Sequence, residues 1–171
     1  LEIGFGNGES LIKLAKTEPE YNFFGIDRKM DRVRTALKKL NMTDRIPNLI
    51  ISRMGAEYIR KIIRPASCAE IIMNFPDPWP KKRHNKNRTI DKKFIKIIHS
   101  LLTDGGAFRY ASDHEEYSLE VSKLLNDSSM FINSYPVPYK HKVENRIQTR
   151  FEKHKVREGK QIFYIKYKKL N

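Results

Sequence analysis

The sequence is poor in the features that would staple the chain, anchor it or export it. It has one cysteine, Cys68, in 171 residues, which excludes an intrachain disulfide. A lone thiol beside an apolar stretch reads as core filler. No uninterrupted apolar run approaches the roughly 18 residues of a membrane-spanning helix, and no segment has the order of a signal peptide. These absences point to a cytoplasmic setting. Acid is scarce as well, with 20 Asp and Glu against 34 Lys and Arg, a formal net charge of +14. The five histidines and the single cysteine show no metal-ligand spacing, so no metal is expected. Repeats, low-complexity tracts and linkers are also lacking, and the length suits one domain with a sizeable core. The first residue is Leu1, inside what reads as a strand, so an N-terminal segment is expected to be missing.

The positive charge is unevenly placed. Residues 81–88 contribute +5 and residues 138–171 contribute +8, leaving +1 for the remaining 129 residues. A surface without a partner normally mixes both signs, so two cationic blocks point to a polyanion such as nucleic acid. The first block follows Asn74-Phe75-Pro76-Asp77-Pro78-Trp79-Pro80. Proline fixes its own φ and restricts the residue before it, so Asp77 is expected on a stiff loop. A rigid acid beside a basic arm suggests chemistry performed on a polyanion.

At the other end of the chain, Leu1-Glu2-Ile3 runs into Gly4-Phe5-Gly6-Asn7-Gly8, and an apolar helical pattern begins at Leu11. Strand, glycine turn and helix form a cradle for a nucleoside cofactor. Tyr21 to Ile26 reads as a second strand ending in Asp27, an acid placed to accept both ribose hydroxyls. NAD and S-adenosylmethionine both remain compatible with this much. Glu2 favours the second, because its charge would repel a pyrophosphate and attract an α-ammonium and a sulfonium.

Further elements alternate. Helices are expected over Met30–Leu40, Ala56–Ile63, 91–102 and Glu115–Leu125, with strands at Asn48–Ser52, 69–75 and Ala107–Ala111. Asp104-Gly105-Gly106 reads as a helix stop. Phe131–Val137 and Gln161–Tyr167 read as two closing strands with no long helix between them. The pattern implies an α/β fold with a doubly wound, mostly parallel seven-stranded sheet and one antiparallel strand near the C-terminus. Ligands of such sheets bind beyond the carboxyl ends of the strands, where Gly4 to Gly8, Asp27, Gly55, Asp77 and Asp113 all fall.

Taken in order, Glu2 to Gly8, Asn22 to Asp27, Asn74 to Lys86, Ala111 to Asp113 and Thr149 to Glu152 resemble the bacterial tRNA (guanine-N7)-methyltransferase family of class I S-adenosylmethionine-dependent enzymes. The resemblance spans essentially the whole chain, and its most specific parts are F-P-D-P-W with the R-H-N-K tail and T-x-F-E. It implies methylation of guanine N7 in the variable loop of tRNA. It also implies that Glu2, Gly4, Gly6, Gly8, Asp27, Gly55, Ala56 and Asp77 bind cofactor, with Asp77 at the reacting centre. Lys81, Asp113, Thr149, Arg150, Phe151 and Glu152 would hold the target nucleotide. Lys82, Arg83, His84, Asn85, Lys86, Asn87 and Arg88 would meet RNA. Three positions depart from the family pattern: Ile147 replaces a usual Pro, Asn87 a usual Arg, and Gly55 an Asp or Asn, so the hydrogen bond to the adenine there comes from the backbone, from Glu57, or is absent. An NAD-linked oxidoreductase and a non-catalytic RNA-binding module are the competing readings.

Overall fold

A computed structural model of the chain describes residues 1–42 and 45–170, and only the backbone of Lys82 and Asn85. Its sheet is built from β1 (Glu2–Ile3), β2 (Phe23–Asp27), β3 (Leu49–Arg53), β4 (Cys68–Asn74), β5 (Leu102–Ser112), β6 (Phe131–Asn133) and β7 (Phe163–Lys169). The spatial order is β3-β2-β1-β4-β5-β7-β6. Strands β1 to β5 pair in parallel, and β7 runs antiparallel to both β5 and β6. The architecture is therefore the α/β, mostly parallel, seven-stranded sheet that the alternation of elements implied. Helices α1 (Glu9–Thr17), α2 (Met30–Asn41), α3 (Lys92–Leu101), α4 (Glu115–Asp127) and α5 (Arg150–Arg157) complete it. No helix among the described residues is long and apolar enough to cross a membrane.

Apolar periodicity places the core. Phe94, Ile95, Ile98 and Leu101 of α3 and Val121 and Leu125 of α4 pack on Ile71, Phe108, Ile165 and Tyr167 of the central strands. A smaller cluster of Phe5, Leu11, Val33 and Ala36 joins α1 and α2 to the other face. Chain reversal in strand order occurs at β1, whose neighbours are β2 on one side and β4 on the other. Where the strand order reverses in this way, the sheet opens a crevice at its carboxyl edge.

Several boundaries differ from expectation for identifiable reasons. The Asp104-Gly105-Gly106 signal does not end a helix. Strand β5 begins at Leu102, directly after α3, and these residues form an irregularity opposite β4, where Cys68 pairs with Leu102 and Glu70 with Ala107. The segment Ala56–Lys61 is a 3-10 helix. Strand β6 stops at Asn133, where the Asn side chain accepts from Tyr135 N–H and starts a turn. Helix α5 lies in a polar stretch that showed no helical face, and it is capped by the Thr149 hydroxyl, which accepts from the Glu152 amide at 3.0 Å.

Candidate active site

The glycine turn follows β1 with Gly4, Gly6 and Gly8 all left-handed, at φ 76°, 60° and 76°. Residues with a Cβ avoid that region. At Gly8 a Cβ would also lie 2.8 Å from the Ala36 methyl, so the close approach of α1 to α2 depends on its absence. The turn is tied to the next strand by Asp27, whose Oδ2 accepts from Gly6 N–H at 3.0 Å and whose Oδ1 accepts from Lys29 N–H at 2.8 Å. Each carboxylate oxygen carries two acceptor sites, so Asp27 keeps capacity for a ribose hydroxyl.

Glu2 is almost fully buried directly beneath this turn. Its Oε1 accepts from Asn74 Nδ2 at 2.9 Å, while Oε2, among the described residues, has no hydrogen-bond partner. Burial, the largest influence, pushes its pKa up against the favourable bond from Asn74, the charge of Arg146 and the nearby Ser10 hydroxyl. An orphaned, desolvated carboxylate oxygen is costly unless a cation or donor satisfies it. An α-ammonium supplies both charge and donors, so this pocket fits the amino-acid end of S-adenosylmethionine.

Asn74 connects that oxygen to the far side of the site. Its Oδ1 accepts from Arg146 Nη2 at 2.6 Å. The same guanidinium donates to Glu152 Oε2 at 3.1 Å and lies over the Tyr164 ring at 5.1 Å. Tyr164 O–H donates to Glu152 Oε1 at 2.6 Å, and burial and this carboxylate push the tyrosine pKa up. Glu2, Asn74, Arg146, Glu152 and Tyr164 thus form one buried polar chain from β1 to α5. Sequence reasoning gave no role to Asn74, Arg146 or Tyr164. The one available signal was Arg146 standing just ahead of Thr149-Arg150-Phe151-Glu152.

The Asp77 loop leaves β4 beside the glycine turn, since Ile3 and Met73 are register partners on adjacent parallel strands. Phe75 and Trp79, each preceding a proline, are held at φ 50° and 46°. Left-handed bulky residues cost about 1–3 kcal/mol each and persist only where their surroundings enforce them. Here Phe75 N–H donates to Ala111 O at 2.7 Å, and Arg88 Nε donates to Pro78 O at 2.8 Å. The Phe75 ring meets Phe151 of α5 edge-on at 5.0 Å. Asp77 itself is exposed at the tip, and among the described residues its carboxylate makes no hydrogen bond or ion pair.

Asp113 follows β5, one strand beyond Asp77. The cap of α4 is His114, whose ring accepts from Tyr117 N–H, so Asp113 is free of that duty and instead faces Lys155 at 3.8 Å. Lys155 also bonds Glu158 at 3.0 Å and sits over Phe151. Phe151 therefore belongs to both the Asp77 loop and the Asp113 corner, with nearly half its surface open for stacking. Arg83, Lys86 and Asn87 are exposed on a 3-10 turn over Lys82–Asn87, and Lys81 is exposed just before it, its O accepting from His84 N–H while Trp79 packs against His84. The side chains of Lys82 and Asn85 lie outside the described residues.

Two sequence-based assignments are corrected. Arg88 does not reach RNA, because its side chain is only 2% exposed, pairs with Glu120 and Glu116 of α4 and lies over the Tyr117 ring. It anchors the arm. Glu152 does not meet a nucleotide, because its side chain has no exposed surface and both oxygens are engaged by Arg146 and Tyr164. At Gly55, the Glu57 carboxylate lies over the position a Cβ would take and pairs with Arg28. Its own backbone amide and Arg28 hold the Glu57 carboxyl below the usual range. An acidic group is therefore available beside Gly55 and Ala56 despite the missing side chain.

A family model described as "Putative methyltransferase" matches residues 1–165. A tRNA (guanine-N(7)-)-methyltransferase of Leptospira interrogans is 34% identical over 167 residues, which cover 96% of this chain and 76% of that protein. The chain belongs to the tRNA (guanine-N7)-methyltransferase family. A second member, from Francisella tularensis subsp. novicida, is 37% identical over 153 residues, covering 90% of this chain and 66% of its own. The fold matches a SAM-dependent methyltransferase from Aquifex aeolicus with a TM-score of 0.68 at 15% identity, covering 99% of this chain and 80% of that one. Membership of this family sets aside both the NAD-linked oxidoreductase and the non-catalytic module: the chain is a methyltransferase.

Proposed function

We propose that this methyltransferase, acting as a single domain in the cytoplasm, moves a methyl group from S-adenosylmethionine to N7 of a guanosine in the variable loop of tRNA. The observation that carries the reading is the buried Glu2 carboxylate beneath the glycine turn, whose Oε2 accepts no hydrogen bond of good geometry among the described residues, one strand from an exposed Asp77. Glu2 holds the donor's ammonium, Asp27 its ribose, and Gly55, Ala56 and Glu57 border its adenine. Bound there, S-adenosylmethionine supplies an electrophilic sulfonium methyl. Guanine N7 carries a lone pair and no proton, so no base is needed to unmask it, and the protein contributes position and electrostatics.

Asp77, assisted by Asp113, accepts from the guanine N1–H and N2 amino group. Those hydrogen bonds make N7 more electron-rich. They also tighten as positive charge develops on the purine, so they favour the transition state over the ground state. Phe151 stacks on the unstacked base, and the exposed Lys81, Arg83 and Lys86 neutralise phosphates. Incubation with methyl-labelled donor and unmodified tRNA, followed by nucleoside analysis, should return label in 7-methylguanosine. Label in another nucleoside, or none, would reject the assignment.

Glu2→Gln separates cofactor recognition from folding. Burial raises the Glu2 pKa in the folded chain, so the stability tied to its proton is complete below the ordinary carboxylate range and declines as pH rises through the raised value. The Gln variant lacks that decline and should melt higher than wild type at neutral pH without donor. Its donor affinity should fall by about 10- to 100-fold, the worth of a charge-assisted hydrogen bond. Thermal melts and calorimetric titration measure the two effects, and unchanged donor affinity would remove Glu2 from the cofactor site.

A further inference from the structure

The arm at 81–88 does not account for the positive charge of the C-terminal third, and helix α5 carries much of the remainder. Arg150, Lys153, His154 and Arg157 are all exposed and recur at the three- and four-residue spacing that aligns them on one helical face. Across from them stands Arg32 of α2, and the two helices enclose a groove of about 580 Å³ that reaches Asn7 of the glycine turn. The one acid in its lining is Glu9, and that carboxylate already pairs with Lys39 at 2.8 Å. Lysine and arginine nitrogens are the groove's dominant polar feature; Glu9 faces Arg150 and Lys153 but is shared with Lys39, and Glu158 pairs with His154 at 3.3 Å, so positive charge remains in excess.

Place matters as much as charge. The groove shares Phe151 with the Asp77 loop, because that ring lines the groove and touches Phe75. The cationic arm lies beyond the other end of the same loop, anchored through Arg88 to Pro78 O and α4. The target site therefore sits between two cationic surfaces. Short polyanions would be served by one of them. A folded strand that must present one unstacked base needs its backbone held on both flanks.

We propose that the groove between α5 and α2 is a phosphate cradle that grips the RNA backbone on the opposite side of the target nucleotide from the 81–87 arm. The proposal rests on the reading of tRNA as substrate. Its groups are Arg32, Arg150, Lys153 and Arg157.

The test uses the full chain and unmodified tRNA. In Lys153→Ala/Arg157→Ala the slope of log affinity against log salt should flatten by about 1.4–1.8, at 0.7–0.9 for each phosphate no longer neutralised. Donor binding should be unchanged. Lys16→Ala/Lys168→Ala removes the same charge from the last turn of α1 and from the end of β7 that pairs with Ala107, at the amino end of the parallel strands and away from the groove, and should leave the slope near wild type. Equal flattening in both pairs would mean diffuse attraction and overturn the cradle. An unchanged slope in the α5 pair would overturn it too, while methylation of tRNA by the wild type would leave the functional reading standing. Wild-type protein that binds an acidic protein surface but no tRNA would overturn both.

Discussion

Asp77→Asn is expected to slow methyl transfer by about 10²-fold or more, the scale seen when one preorganised group facing developing charge is removed. Asn keeps the shape and loses the charge. A neutral amide oxygen accepts more weakly from guanine N1–H and gains less as the purine becomes cationic, so the deficit appears in the chemical step. Affinity for tRNA should change little, because phosphate neutralisation dominates it. Folding should be untouched, since no described side chain or backbone group leans on the Asp77 carboxylate, and the loop is fixed by Phe75, Pro78 and Arg88 instead. Single-turnover rates with saturating donor isolate the effect. A near-normal rate would take Asp77 out of the mechanism.

Arg146→Leu should have the largest effect on stability. The guanidinium is 7% exposed and the Glu152 carboxylate 0% exposed, so the change leaves a desolvated charge with only the Tyr164 hydroxyl for company. Breaking one side of such a pair costs about 3–5 kcal/mol. For a chain of this size that corresponds to a fall in Tm of about 6–20 °C. Adding Glu152→Gln removes the stranded charge and keeps an acceptor for Tyr164, so the double variant should recover a substantial part of the stability. Neither variant restores the donor to Asn74 Oδ1, so the amide that orients Glu2 stays loose and donor affinity should remain below wild type in both. Melting that is insensitive to Arg146→Leu would mean that water reaches Glu152 and that the buried chain does not exist as described.

The sheet and the glycine turn were legible because their signals are local. Alternating apolar runs mark β2, β4 and β5, and the interval between Gly8 and Asp27 follows from one strand-helix-strand unit. Helix α5 was illegible for a physical reason. Between Arg150 and Arg157 only Phe151 and Val156 are apolar, so no hydrophobic face declares itself, and the helix is secured by the Thr149 cap and by an ion pair buried through tertiary contact. Arg88 shows the same limit from the other side. Five cations in eight residues read as one arm, yet one of them turns inward because Glu116 and Glu120 approach from a helix nearly thirty residues further along the chain. Composition records how much charge is present. Which charges meet each other is a property of the fold.

Those buried pairs also explain why the site reaches further than its motifs. Asn74 opens the proline-rich stretch without carrying chemistry of its own, and it links the carboxylate under the glycine turn to the guanidinium behind α5. The carboxylate that would hold the donor and the helix that carries Phe151 share one hydrogen-bonded frame.

A structure of the protein with S-adenosylhomocysteine tests that frame most directly. The account predicts the homocysteine amino group within hydrogen-bonding distance of Glu2 Oε2, the ribose at Asp27, and the sulfur facing the Asp77 loop. An amino group bound away from Glu2, or a sulfur opening on the side of the sheet remote from Asp77, would contradict it.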